Sequence, residues 1–291
     1  MLKLLLFTVG LLSILYSTAC GALYLKQTRM IFLPTAQIEQ TPAALNLSYQ
    51  EVWLPVGNGD QIHGWWIPAS GPERGVVLYL HGNGINIGAN VWQAGRFHHL
   101  GLSVLLIDYR GYGRSQGAFP SEAQVYEDAA IAWDYLTQTR NIPPERIFIY
   151  GHSLGGAIAI ELATHHPQAA GLIVQSSFTS MRQMVDRALS YARIFPVDWL
   201  LTQRFDSIAK VPALQVPVLF IHGKADSQIP FQMSKQLYAA TPGVKQLYLV
   251  PLADHNDVAD TAGAEYLQVL DQFVDQALQA SQIPLEPVEG S

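Results

Sequence analysis

Residues Ile147-Phe-Ile-Tyr-Gly-His-Ser-Leu-Gly-Gly156 decide how the rest of the chain is read. Four β-prone residues lead into a serine with a glycine two places away on either side. An alanine-rich run, Ala157-Ile-Ala-Ile-Glu-Leu-Ala163, then reads as a helix. A strand that becomes a helix over so few residues must turn tightly, and a Cβ at Gly151 or Gly155 would collide with the neighbouring strand or helix. Gly-His-Ser-Leu-Gly is therefore read as a nucleophile elbow with Ser153 at its tip. The bare five-residue pattern is weak. The strand before it and the helix after it strengthen the reading.

Working outward, near-continuous apolar runs recur at Gly75 to Gly82, Leu102 to Asp108, Gly171 to Gln175 and Val216 to Ile221. Such runs belong to strands buried on both faces. Helical candidates lie between them at about 86–100, 121–139 and 155–166, and later at about 231–240 and 261–279. The alternation implies βαβ crossovers and one parallel α/β sheet covered by helices on both faces, with functional loops at the carboxyl ends of its strands. Ahead of this core, Leu47 to Leu54 and Gln61 to Ile67 flank Gly57-Asn-Gly-Asp60 and read as a hairpin. Trp53, Trp65 and Trp66 there are expected to pack. Residues 178–210 break the alternation as an insertion with two short helices, a helical cap that either lines the site or only packs on the core. Met181, Met184, Val185, Ala188 and Leu189 are spaced for one apolar face.

Serine is a poor nucleophile until a base removes its proton, and imidazole suits neutral pH. Of nine histidines, His255 follows the strand ending at Val250 and so emerges at the same sheet edge as Ser153. His81 and His222, at strand ends before glycines, are expected to orient loops. His152 is expected to be turned away by the elbow. His98, His99, His165 and His166 fall near helix ends, where exposure is the default. The imidazole needs a carboxylate to fix its tautomer. Asp226, in Ile221-His-Gly-Lys-Ala-Asp226, leaves the sheet at that edge, whereas Asp254 and Asp257 flank His255 too closely in sequence to align with its ring. Two backbone N–H groups must face the oxyanion. Leu154 supplies one, and Asn83 in His81-Gly-Asn-Gly84 is chosen for the other, with Gly84 the alternative.

Leu4 to Leu25 is a 22-residue stretch without charge between Lys3 and Lys26. As a helix it spans about 33 Å against a bilayer core of about 30 Å. A membrane anchor over 1–26 is expected, with a cleaved signal segment as the competitor. In the latter, Ser17-Thr18-Ala19 is the cleavage site and Cys20 would come first, as in a lipoprotein, although Ser17 stands where leucine is usual. Residues 27–46 read as a linker, 47–280 as one domain and 281–291 as a tail.

A net charge of -6 argues against a broad nucleic-acid surface. One cysteine excludes an internal disulfide and a cysteine-rich zinc site. The chemistry expected of these residues needs no metal and no organic cofactor.

Together, Leu80-His-Gly-Asn-Gly84, Asp108-Tyr-Arg-Gly-Tyr-Gly-Arg-Ser115, Gly151-His-Ser-Leu-Gly155, Ile221 to Pro230 and Asp254-His-Asn-Asp257 resemble the α/β-hydrolase superfamily. Within it they resemble the Bem46-like group, which includes membrane-associated ABHD-type hydrolases. The likeness covers roughly residues 47–279, and the order Ser153, Asp226, His255 is that of the superfamily. It implies a mostly parallel sheet of about eight strands. It also implies a serine hydrolase acting on carboxylic esters or thioesters, with lipid-derived acyl groups suggested by the anchor and the apolar insertion. Arg110 and the glycines near it are read as structural. An acyltransferase or peptidase with the same residues, and a tethered binding protein without turnover, remain the alternatives.

Overall fold

The protein is described by a computed structural model covering residues 1–188 and 194–280. Eight strands form one sheet: β1 (Gln50–Pro55), β2 (Gln61–Ile67), β3 (Gly75–Leu80), β4 (Leu102–Ile107), β5 (Ile147–His152), β6 (Gly171–Gln175), β7 (Val218–Gly223) and β8 (Lys245–Val250). Their order is β1-β2-β4-β3-β5-β6-β7-β8. Only β1 with β2 and β2 with β4 pair antiparallel, and all other pairs are parallel.

Alternating residues of each central strand enter two separate cores, which is why the sequence shows unbroken apolar runs. Val76, Leu78, Leu80, Ile147 and Ile149 pack on one face, against α3 (Glu122–Asp134), α4 (Leu154–His165) and α8 (Phe231–Ala240). Val77, Tyr79, Phe148 and Tyr150 pack on the other, against α2 (Val91–His99) and α10 (Ala264–Ala280). Burying each such side chain contributes roughly 1.5–3 kcal/mol. The expected helix at 86–100 begins late, because Ile87–Asn90 forms a 3-10 turn capped by the Asn86 side chain. The expected helix at 261–279 is divided at Gly263, with α9 (Val258–Ala262) before it and α10 after it.

The amino-terminal helix α1 runs from Leu2 to Ile31 and is long and apolar enough to cross a membrane. Residues 2–18 of it are exposed, whereas Gln27 and Ile31 near its end are buried. The linker expected at 27–46 is corrected here. Phe32 is buried, Leu33–Pro34 pairs in parallel with Gly84–Ile85, and Pro42–Leu45 is a 3-10 turn against α2. The Gln27 side chain accepts hydrogen bonds from the Thr202 and Gln203 N–H groups and donates to the Leu200 carbonyl, pinning α1 to the inserted segment.

That segment holds α5 (Met181–Ala188), α6 (Val197–Leu200) and α7 (Ser207–Lys210). Met181 and Val185 face α1 across an apolar groove of about 440 Å³, which Phe195 and Leu200 also line. Leu189 and the tail at 281–291 lie outside the described residues.

Candidate active site

Ser153 stands between the end of β5 and the start of α4 with φ 54° and ψ −119°, a backbone conformation that costs about 1–3 kcal/mol. The surroundings enforce it. A Cβ on Gly151 would lie 2.1 Å from the Gly155 carbonyl oxygen, and one on Gly155 would lie 2.0 Å from that of Leu80. The Ser153 N–H donates to the Gln175 carbonyl at 2.9 Å, and the Ser177 hydroxyl donates to the Ser153 carbonyl at 2.8 Å.

The loops after β7 and β8 bring Asp226 and His255 to this tip. His255 Nε2 lies 3.0 Å from Ser153 Oγ, and its Nδ1 lies 2.7 Å from Asp226 Oδ2. These contacts fit Nδ1–H donating to the carboxylate and Nε2 accepting from the serine hydroxyl. All three residues are buried, with the serine 8% exposed.

Burial pushes the Asp226 carboxyl up, but hydrogen bonds from His222 and His255 and from the Ile229 N–H outweigh it and hold it below the ordinary carboxylate range. The Gln228 and Ile229 N–H groups donate to Oδ1 at 2.9 and 2.8 Å. Asp254 takes a different role. Its Oδ1 accepts from the His255 N–H at 2.7 Å and the Ser227 N–H at 2.8 Å, so it shapes the loop and leaves the ring alone. The Asp257 carboxylate accepts from the Asp254 N–H at 2.7 Å.

The loop after β3 lies against Ser153, since a Cβ on Gly82 would stand 3.4 Å from Ser153 Cβ. Asn83 is fixed from several sides. Its amide donates to the Ile31 carbonyl at 2.8 Å, while its own carbonyl accepts from the Leu33 N–H at 2.9 Å and the Tyr112 hydroxyl at 2.6 Å. The Leu154 N–H opens α4 and so has no acceptor inside the helix.

Ser153, His152 and His255 share a cleft of about 630 Å³ that runs from the Gly82–Gly84 loop toward Trp92 and Arg96 of α2 and Asp260 of α9. Among the described residues, none of 178–210 lines it.

Two histidines differ from their sequence reading. His152 is not turned away: it lines the cleft, and its Nε2 lies 3.2 Å from the His255 carbonyl oxygen. Burial and the adjacent His255 push it down to about 4, so it is neutral at neutral pH. His222 does more than orient a loop. Its Nε2 stands 3.0 Å from Asp226 Oδ2 and 2.9 Å from the Ile229 carbonyl oxygen, while Nδ1 meets the Ser234 hydroxyl at 2.6 Å. Neither role has a sequence signal, because both depend on loops brought together by the sheet. His81 behaves as expected, with Nδ1 2.7 Å from the Gly82 carbonyl oxygen and Nε2 3.3 Å from Asp108. Arg110 is structural, its Nε donating to Asp128 at 2.6 Å away from the cleft. Burial raises the Asp128 carboxyl to about 6 against that pairing.

Comparison with known proteins agrees with this architecture. Residues 71–210 match the family model described as serine aminopeptidase, S33. In fold, the chain is similar to the Pyrococcus furiosus esterase Pf2001, with a TM-score of 0.68 at 18% identity over 85% of this chain and 98% of that one. In sequence, it is 31% identical to protein bem46 of Schizosaccharomyces pombe over 274 residues, covering 88% of each. It is 33% identical to the protein Rv2307c of Mycobacterium tuberculosis over 267 residues, 91% of this chain and 93% of that one. With an eight-stranded, mostly parallel sheet and such likeness along nearly its whole length, the chain belongs to the α/β-hydrolase family, in its Bem46-like group.

Proposed function

We propose that the protein is a serine hydrolase that cleaves carboxylic ester or thioester bonds through an acyl-enzyme. The observation that carries this reading is the hydrogen-bonded chain from Ser153 Oγ to His255 Nε2 and from His255 Nδ1 to Asp226. His255 takes the serine proton as Oγ attacks the acyl carbonyl, and Asp226 holds the ring in the required tautomer and stabilises the imidazolium. The backbone N–H groups of Leu154 and Asn83 receive the oxyanion. Each such donor typically lowers the barrier by about 3–4 kcal/mol. His255 then gives its proton to the departing alcohol or thiol. Water, deprotonated by the same imidazole, attacks the acyl-enzyme, and the proton returns to Ser153 as the acid leaves.

The reading also places α1 in a bilayer, uncleaved. Its support is the apolar character of Leu2–Ile31 together with Tyr16, which lies ahead of the alternative cleavage site and whose hydroxyl donates to the Ile194 carbonyl of the inserted segment at 2.8 Å. A lipid-derived acyl group finds its support in the apolar groove beside α1 rather than in the cleft itself.

The test is turnover of short and long acyl p-nitrophenyl esters and thioesters by the full chain in detergent, with Ser153→Ala alongside. Hydrolysis by the wild type and none by the variant is expected, and equal rates would remove the proposal. A second reading, aminopeptidase, draws on the description of the matching family model. Amino-acid p-nitroanilides in the same assay separate the two, and cleavage of these in preference to esters would favour the peptidase.

A further inference from the structure

The cleft continues past Ser153 to a cation. Among the described residues that line it, Arg96 is the only lysine or arginine. Its guanidinium donates to Gln93 Oε1 at 3.1 Å and pairs with Asp260. Gln93 in turn donates to the Tyr266 hydroxyl at 2.6 Å, and that hydroxyl donates to Gln175 Oε1 at 2.6 Å. The backbone carbonyl of Gln175 holds the Ser153 N–H at 2.9 Å. An unbroken chain of bonds thus sets the arginine at a fixed place relative to the nucleophile. An ion pair that only tied α2 to α9 would need no such chain.

The two ends of this arrangement differ in strength. Gln93, Gln175 and Tyr266 are buried, so their bonds are costly to break. The Asp260 side chain is 74% exposed, and an exposed ion pair contributes only about 0–1 kcal/mol. A second carboxylate or a phosphate entering the cleft can displace it. The guanidinium fork suits both groups, because it offers two parallel N–H donors. Trp92, 59% exposed on the same helix, offers an apolar face along the way.

We propose that Arg96 is a specificity-determining residue, and that the substrate of the Ser153 site is an ester or thioester bearing a carboxylate or phosphate at the end remote from the scissile bond. This rests on the serine-hydrolase reading above and narrows its substrate class.

The experiment compares p-nitrophenyl pentanoate with mono-p-nitrophenyl glutarate, which have the same chain length with and without a terminal carboxylate. The wild type, Arg96→Gln and Asp260→Asn are assayed as full chains. An acylated glycerol phosphate and the matching acylated glycerol test phosphate on the leaving-group side in the same way. The expected result is that Arg96→Gln lowers the anionic-to-neutral ratio of kcat/KM by about 10- to 100-fold for one of the two pairs. Asp260→Asn raises that ratio by removing the competing carboxylate.

Ratios that stay constant across the variants overturn the inference, as does a wild-type preference for a choline ester over the anionic ones. Should no ester be hydrolysed, the hydrolase reading fails, and binding decides the inference by itself. Glutarate and phosphate should each be tried for a rise in the Tm of Ser153→Ala. A rise with either that is absent in Ser153→Ala/Arg96→Gln supports the anion site, and no rise with both refutes it.

Discussion

Replacing Asp226 with asparagine changes one atom and inverts the hydrogen-bond logic around it. In the native protein Oδ1 receives the Gln228 and Ile229 N–H groups at 2.9 and 2.8 Å, and Oδ2 faces His255 Nδ1 at 2.7 Å and His222 Nε2 at 3.0 Å. The asparagine oxygen keeps the two backbone donors, which leaves its NH₂ facing two ring nitrogens. His255 then pairs only by accepting at Nδ1, which puts its proton on Nε2, directed at Ser153 Oγ. A ring in that tautomer cannot take the serine proton. The loss expected in kcat is about 10⁴-fold, or about 5.5 kcal/mol of barrier. The variant also forfeits charged hydrogen bonds, each worth about 1.5–3 kcal/mol, so Tm should drop by several degrees while the fold persists. The assay is steady-state hydrolysis of a p-nitrophenyl ester, with circular dichroism as the control for folding. A variant that keeps more than about a tenth of wild-type kcat would refute this reasoning.

Three further outcomes are expected. His152, pushed down to about 4, binds no proton in the folded protein until well below the unfolded value near 6.5. Its stabilisation is therefore complete above about pH 6.5 and is lost as pH falls toward 4, about 3 kcal/mol in all. In urea titrations His152→Gln should flatten the stability curve in that window, and unchanged curves would contradict the assignment. Gly155→Ala should abolish soluble folded protein, because its Cβ would lie 2.0 Å from the Leu80 carbonyl oxygen, and a variant with native Tm would show the elbow to be slack. Asp254→Asn should cost less than about tenfold in kcat, since Asp254 Oδ1 bonds the His255 N–H and not its ring. A loss as deep as that of Asp226→Asn would reassign the carboxylate.

The sequence carried most where local chemistry decides the outcome. The central strands were legible because burial on both faces leaves unbroken apolar runs, and the elbow because its glycines sit where backbones nearly touch. Ser153, Asp226 and His255 could be drawn together because each follows a parallel strand, and all those strands end at one edge. What escaped depends on distant partners. Residues 32–37 carry no period, yet they pair with Gly84–Ile85 and supply carbonyls to the Asn86 side chain. His152, His222 and Gln27 look ordinary in sequence because their partners lie in loops or helices far along the chain. The position of 178–210 was open for the same reason: an apolar helical face does not say what it meets, and here Met181 and Met184 pack on the core while Met181 and Val185 look across a groove toward α1.

The central claim is that Ser153 is the nucleophile, and covalent labelling tests it most directly. The full chain, held in detergent, is treated with a fluorophosphonate probe and the modified peptide is identified by mass spectrometry. One phosphonyl group on Ser153 is expected, with no labelling of Ser153→Ala and slowed labelling of His255→Gln. Equal labelling of Ser153→Ala, or a label on a different residue, would contradict the account.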